Sequence, residues 1–351
     1  MSKSLTELAK ESSPIDHVAK LRSADATIAR LKAELGLAEE KRKRAEQELE
    51  NANKRVDLLA ALSKRKPAKA RAKVKRTKSA DGTALVVLSD WHVEEPVDPE
   101  TVNGVNEFSL EIADKRIKRT FDKALMLLED ARHLTEIREC VVAALGDFIT
   151  GDIHDELKES ALLHPLPACR WASERIESGL KTLLEHGELD KITVVTARGN
   201  HGRTTPKKRH ATSYVTSYEH NMYLELQQRF SGEPRIEWNI GKGYLSWEEI
   251  QGYPVRFHHG DEIKYQGGVG GITIPVNKAI AQWDKTRQAY LDVFGHWHQF
   301  KIDGKWISNG SLIGHSAHAV AIKAEPQAPV QAFAVIDRQR GLTRCIPVFC
   351  E

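Results

Sequence analysis

The chain has 351 residues, room for two or three structural units of ordinary domain size. Its 40% hydrophobic and 29% charged residues lie below and above the usual globular shares, which predicts one well-packed domain carrying a highly charged appendage. No apolar run of about 18 residues exists to cross a membrane, and the N-terminal MSKSLTELAKESS lacks the apolar core of a secretory signal. Four scattered cysteines (Cys140, Cys169, Cys345, Cys350) without CxxC spacing exclude a disulfide framework and a zinc ribbon and fit a reducing cytoplasm.

From Leu21 the apolar residues alternate in steps of three and four: Leu21, Ala24, Ile28, Leu31, Leu35, Ala38, then Arg42, then Ala45, Leu49, Ala52, Val56 and Leu59. A 3.5-residue spacing held this long predicts that residues 1–63 form a coiled-coil helix that pairs with a second copy, giving a homodimer. Alanine at many d positions and an interruption at Gly36 keep the expected seam modest. A single solvated helix, or one folded back on its own domain, is the plainer alternative. The net charge of +3 conceals nine basic residues and no acid between Lys64 and Lys78. Residues 64–82 therefore read as a basic flexible linker that cannot bury enough surface to order itself. It either solubilises the chain or binds a polyanion such as nucleic acid by counterion release.

Residues 83–351 have the texture of an α/β domain. The apolar run Ala84–Leu88 predicts a buried strand ending in Ser89-Asp90-Trp91-His92, and Leu110–Leu134 has helical periodicity. A second strand, Cys140–Leu145, ends in Gly146-Asp147, and a second helix is expected over Ala168–His186. Lys191–Thr196 leads to Arg198-Gly199-Asn200-His201, Val255–Phe257 to His258-His259-Gly260-Asp261, and Tyr290–Phe294 to Gly295-His296-Trp297-His298. Open α/β sheets gather their sites beyond the carboxyl ends of strands. Asp90 and His92, two apart, should face one side of an extended strand end, as should His296 and His298. Convergence would supply Asp90, His92, Asp147, Asn200, His259, His296 and His298, enough donors for two divalent metals that share one carboxylate. Mixed imidazole and carboxylate ligands suit Mn, Fe or Zn, and such a pair can activate water and clamp a phosphoryl group.

This ordered set of five motifs resembles the calcineurin-like metallophosphoesterase superfamily over about residues 83–350. The resemblance implies a four-layer α/β/β/α sandwich with a dinuclear centre at one edge of its sheets. It implies that Asp90, His92 and His298 hold the first metal, that Asp147 bridges, and that Asn200, His259 and His296 hold the second. His201 would stay off the metals and stabilise or protonate the leaving oxygen. Of the doublet His258-His259, the second is favoured because it directly precedes Gly260. The sequence departs from the family where an acidic residue commonly follows the asparagine–histidine pair: here Gly202 and Arg203 follow.

The adjoining segment Arg203-Thr204-Thr205-Pro206-Lys207-Lys208-Arg209-His210 makes Arg203, Lys207, Lys208 and Arg209 candidates for holding a polyanionic substrate. With the basic linker and the dimer, this resembles DNA-repair exonucleases of the superfamily and implies a manganese-dependent phosphodiesterase acting on DNA. A cyclic-nucleotide phosphodiesterase, a phosphoprotein phosphatase and a non-catalytic scaffold on a phosphoesterase fold are the alternatives. Gly267-Gly268-Val269-Gly270-Gly271 lacks the Gly-Lys-Ser/Thr of a P-loop and reads as a flexible loop. Trp91 and Trp297 are expected in core packing, and Asn309-Gly310-Ser311 at the rim of the site.

Overall fold

The computed structural model describes residues 14–63, 79–264 and 271–351. Most of the basic linker and of the glycine-rich segment therefore lies outside the described residues, as does the side chain of Leu59. The chain divides into two compact units, Met1–Lys75 and Arg76–Glu351. No helix among the described residues is long and apolar enough to cross a membrane.

In the first unit the described residues form one helix, α1, over Pro14–Ser63. It runs through Gly36 without a break, contrary to the interruption expected there. One glycine costs about 1 kcal/mol, and the surrounding Ala, Leu, Glu, Lys and Arg are strong helix formers. The i,i+4 pairs Arg30–Glu34, Arg42–Glu46 and Glu50–Lys54 add to that preference. The seam residues Leu21, Ile28, Leu31, Leu35, Leu49 and Val56 are 49–65% exposed.

The second unit contains β1 (Ser79–Leu88), α2 (Leu110–Arg132), β2 (Thr135–Ala144), α3 (Asp155–Ser160), α4 (Pro165–His186), β3 (Lys191–Thr196), α5 (Tyr218–Arg229) and β4 (Ile236–Ile240). Then follow β5 (Ser246–Ile250), β6 (Tyr253–His258), α6 (Thr273–Trp283), β7 (Leu291–Phe294), β8 (Lys301–Asp303), β9 (Trp306–Ser308), α7 (Ala317–Ala321), β10 (Val330–Asp337) and β11 (Gly341–Phe349). Residues 79–82, expected in the linker, belong to β1, because Gly82 pairs with Asp337 of β10 and with Ile137 of β2. Helix α2 begins where Ser109 caps the Ile112 N–H. Helix α4 starts earlier than its apolar pattern, with Pro165 preset for a first helical turn.

One sheet has the order β11-β10-β1-β2-β3-β4 and the other β5-β6-β7-β9-β8. Strands β1 to β4 are mutually parallel, as are β6, β7 and β9. The period-2 alternation of side chains separates the layers. Leu85, Val87, Val141, Ala143 and Val195 meet Val255, Phe257, Leu291, Val293 and Ile307 between the two sheets. Their neighbours Val86, Leu88, Val142 and Val194 turn the other way and pack beneath α2, α4 and α5 with Phe121, Ile176 and Leu226. Phe294 and Trp306 carry the outer face of the second sheet against Val276 and Ile280 of α6. The layers are thus helix, sheet, sheet, helix, and the five motifs occupy the loops after β1, β2, β3, β6 and β7.

Candidate metal centre

Parallel register brings the strand ends level: Leu88 lies opposite Ala144, and Ala144 opposite Thr196. The chain leaves the sheet there through backbone bonds between the loops, Asp90 N–H to Gly146 O at 3.0 Å and His92 N–H to Asp147 O at 3.2 Å. The donors converge by a different route from the extended alternation expected of them. Asp90, His92, Asp147, His296 and His298 all have positive φ, between 46° and 67°. Each is a left-handed turn that aims its side chain inward, in a region few non-glycine residues adopt. Close backbone approach completes the arrangement. A Cβ on Gly146 (φ +86°) would fall 2.1 Å from Gly199 N, and one on Gly199 would fall 2.0 Å from Asp147 Oδ1.

Three groups result, each with ligand atoms within 4.8 Å of one another: Asp90, His92 and His298; His92, Asp147 and His201; Asp147, His259 and His296. His298 Nε2 lies 3.4 Å from Asp90 Oδ1, and His259 Nε2 lies 2.8 Å from Asp147 Oδ2. The His259 Nδ1–H faces the Leu145 carbonyl at 2.7 Å, so in a neutral ring Nε2 presents a lone pair to a carboxylate. That contact needs positive charge between its atoms, from a proton or a metal ion. Burial opposes protonation of His259, but the Asp147 carboxylate outweighs it and raises the ring to about 10. Asp147 is pushed up by burial and pulled further down by the His259 and His201 imidazoles, ending well below its ordinary value. Burial and neighbouring imidazoles lower His92 strongly and His296 to about 4.

Asn200 stands beside these groups, and its Oδ1 is buried without a hydrogen-bond partner among the described residues. The same holds for His92 Nε2, whose ring is fixed through Nδ1 on Thr150 Oγ1 at 3.0 Å. His258 points the other way, stacked on Phe294 at 5.1 Å and edge-on to Trp283 at 4.9 Å. His201 is half-buried; its N–H bonds Asp147 Oδ1 and its Nδ1 faces the Thr150 carbonyl, both at 2.8 Å. This leaves its Nε2 as the free ring atom.

The basic segment divides. Arg203 spends its guanidinium on the carbonyls of Asn200, Thr205 and Pro206. Lys208 is paired with Asp261 at 2.6 Å and Glu262 at 3.7 Å, whereas Arg203 bonds only neutral carbonyls and keeps its charge. Lys207 and Arg209 are exposed. Trp91 is buried edge-on to Phe148 at 4.7 Å, as expected of core packing. Asn309 is not at the rim but fully buried, donating to Ser89 Oγ at 2.8 Å, while the Ser89 hydroxyl bonds the Asp90 carboxylate.

Several supporting residues stand outside the sequence motifs. Glu94 Oε1 accepts the N–H groups of Thr150 (2.9 Å) and Gly151 (2.8 Å), and Glu95 accepts the Thr150 hydroxyl at 3.2 Å. Gln331 of β10 accepts Ser89 N–H at 3.0 Å. Glu219 accepts Phe148 N–H and Gly199 N–H. His154 stands 5.9 Å from the His201 ring. Adjacency to His92 could have flagged Glu94 and Glu95; nothing local marks the others.

No protein-family profile and no curated protein matches the sequence. Solved structures similar to the chain include Vps29 from Chaetomium thermophilum, at 10% identity and TM-score 0.29, covering 73% of this chain and 82% of that one. Another is a dimetal phosphatase from Danio rerio, at 9% identity and TM-score 0.35, covering 77% and 99%. A hypothetical protein from Pyrococcus horikoshii matches at 13% identity and TM-score 0.37, covering 76% and 88%. With identities and scores this low, function has to be read from the site itself.

Proposed function

We propose that the chain is a metal-dependent phosphoesterase that hydrolyses phosphodiester bonds with two divalent cations, manganese in the first place, with iron or zinc fitting the same donors. The observation that carries this reading is the donor set. His92 Nε2 and Asn200 Oδ1 are buried without hydrogen-bond partners among the described residues, His259 Nε2 faces the Asp147 carboxylate at 2.8 Å, and they accompany three overlapping metal-competent groups. Buried polar atoms left unsatisfied are costly unless something binds them. Asp90, His92 and His298 would hold one cation; Asn200, His259 and His296 the other; Asp147 would serve both. Two such ions lower the pKa of water and offset charge on a phosphoryl group.

The chain's own residues supply the rest. His201, oriented by the Thr150 carbonyl, keeps Nε2 free, and in its protonated form that atom donates a proton to the departing oxygen. Ser89, Asn309 and Gln331 hold the Asp90 turn, and the amide of His296 bonds both Asp90 oxygens at 3.0 Å. The completeness of the donor set disfavours a non-catalytic scaffold.

For the substrate we propose nucleic acid, DNA in the first place. The Arg203–Arg209 loop is anchored to the Asn200 carbonyl at one end and to Asp261 through Lys208. It presents Lys207 and Arg209 to solvent. A small phosphodiester is the second reading, favoured by exposed Asp155 and Glu156 next to His154, which repel a long polyanion. The deciding experiment offers the manganese-loaded protein bis-p-nitrophenyl phosphate, single- and double-stranded DNA, RNA, cyclic nucleotides and a phosphopeptide. Cleavage of DNA is the expected result. Turnover of cyclic nucleotides alone supports the second reading, and hydrolysis of none overturns the proposal.

A further inference from the structure

Glu219 contributes nothing to the donor set, yet it is a fully buried acid facing the back of it. It is the second residue of α5, whose start is fixed by Ser217 accepting the His220 N–H at 3.2 Å. Its Oε1 accepts the Phe148 N–H at 2.7 Å and its Oε2 the Gly199 N–H at 2.8 Å. Phe148 follows Asp147, and Gly199 precedes Asn200, so one carboxylate spans the two loops that carry the shared acid and the amide donor. Packing shows that the space is reserved for it. A Cβ on Gly202 would fall 2.7 Å from Glu219 Cγ and 2.9 Å from its Cδ. Gly202 has no positive φ, so its lack of a side chain is explained by this contact and not by backbone strain.

We infer that Glu219 is a positioning residue: a two-amide clamp that fixes the separation of Asp147 and Asn200 and thereby sets the affinity of the second metal position. The metal part rests on the two-cation reading above; the clamp is a property of the protein with or without metal. Glu219→Ala removes both acceptors, and Glu219→Gln keeps one while turning an NH₂ group towards the other amide. Gly202→Ala reaches the same end by pushing the carboxylate aside.

Hydrogen exchange on the metal-free full chain reads the clamp. The Phe148 and Gly199 amides should exchange at least about 10-fold faster in Glu219→Ala, with Val142 and Val194 in the sheet unchanged. Calorimetric titration with manganese reads the consequence. The second site should weaken about 10–100-fold, the range for groups that orient ligands, and the first, which shares Asp147 but not Asn200, should weaken less. Gly202→Ala should reproduce both changes in the wild-type background and add little to Glu219→Ala, since the two act through one carboxylate. Unchanged exchange, equal weakening of both sites, or additive losses overturn the inference. A wild-type chain that takes up no manganese sinks the two-cation reading instead, and the exchange data still decide the clamp.

Discussion

Five of the seven candidate donors hold left-handed backbone conformations, each of the sort that costs about 1–3 kcal/mol for a residue with a side chain. Such strain persists because surrounding bonds over-determine it: Asp90 N–H to Gly146 O, His92 N–H to Asp147 O, and His296 N–H to the Asp90 carboxylate. Asp147 lies at the crossing of two groups, and Asp147→Asn exchanges its charge for a neutral amide. Elemental analysis of that variant should find both positions emptied. His201→Ala should keep its metal content and lose about 10²- to 10⁴-fold in turnover, the usual worth of a positioned proton donor. Loss of metal along with activity would show that His201 is a ligand. Burial pushes the Cys140 thiol up to about 12 and that of Cys350 to about 11. Both stay protonated at pH 8, so neither should react with iodoacetamide until the chain unfolds.

Between the second sheet and α6, Arg256 is fully buried and bonds Asp292 at 2.6 and 2.9 Å and Asp284 at 3.0 Å. Trp247 and Trp283 flank it at 5.2 and 5.3 Å. Arg256→Met leaves Asp292 buried without its cation, and chemical denaturation should show a loss of about 3–5 kcal/mol. Because α6 packs behind β7, the His296 turn should loosen with it. On the other side of the site, the Arg203–Arg209 loop is an element whose charge is only partly available. Replacing Lys207 and Arg209 together should lower DNA affinity and reduce the salt slope of binding by nearly one for each phosphate that is no longer neutralised. The same change at Lys208 should alter the loop's anchorage to Asp261 more than its grip on DNA.

Across the whole molecule, the donor cluster lies in Arg76–Glu351 and the exposed seam in α1. Removing residues 1–78 should spare hydrolysis of bis-p-nitrophenyl phosphate and weaken action on long DNA, increasingly so as salt rises. A peptide of residues 1–65 should sediment as a dimer, because the α1 seam is exposed and, but for Arg42, apolar along its described length. A monomer at high concentration ends that idea. The layers of the second unit and the loops bearing its donors were legible because burial leaves a periodic trace: Val87 and Val86 alternate between cores, and Lys191–Thr196 reads as a strand on its own. The doublet His258-His259 follows the same alternation. What local pattern could not carry was the partner of each polar atom, which depends on segments far away in the chain. The left-handed turns at Asp90 and Asp147, the neutralised Lys208, the burial of Asn309 and the Glu219 bridge were decided only when distant loops met. A hydrophobic side chain needs only an inside, whereas a carboxylate needs a particular donor at about 3 Å.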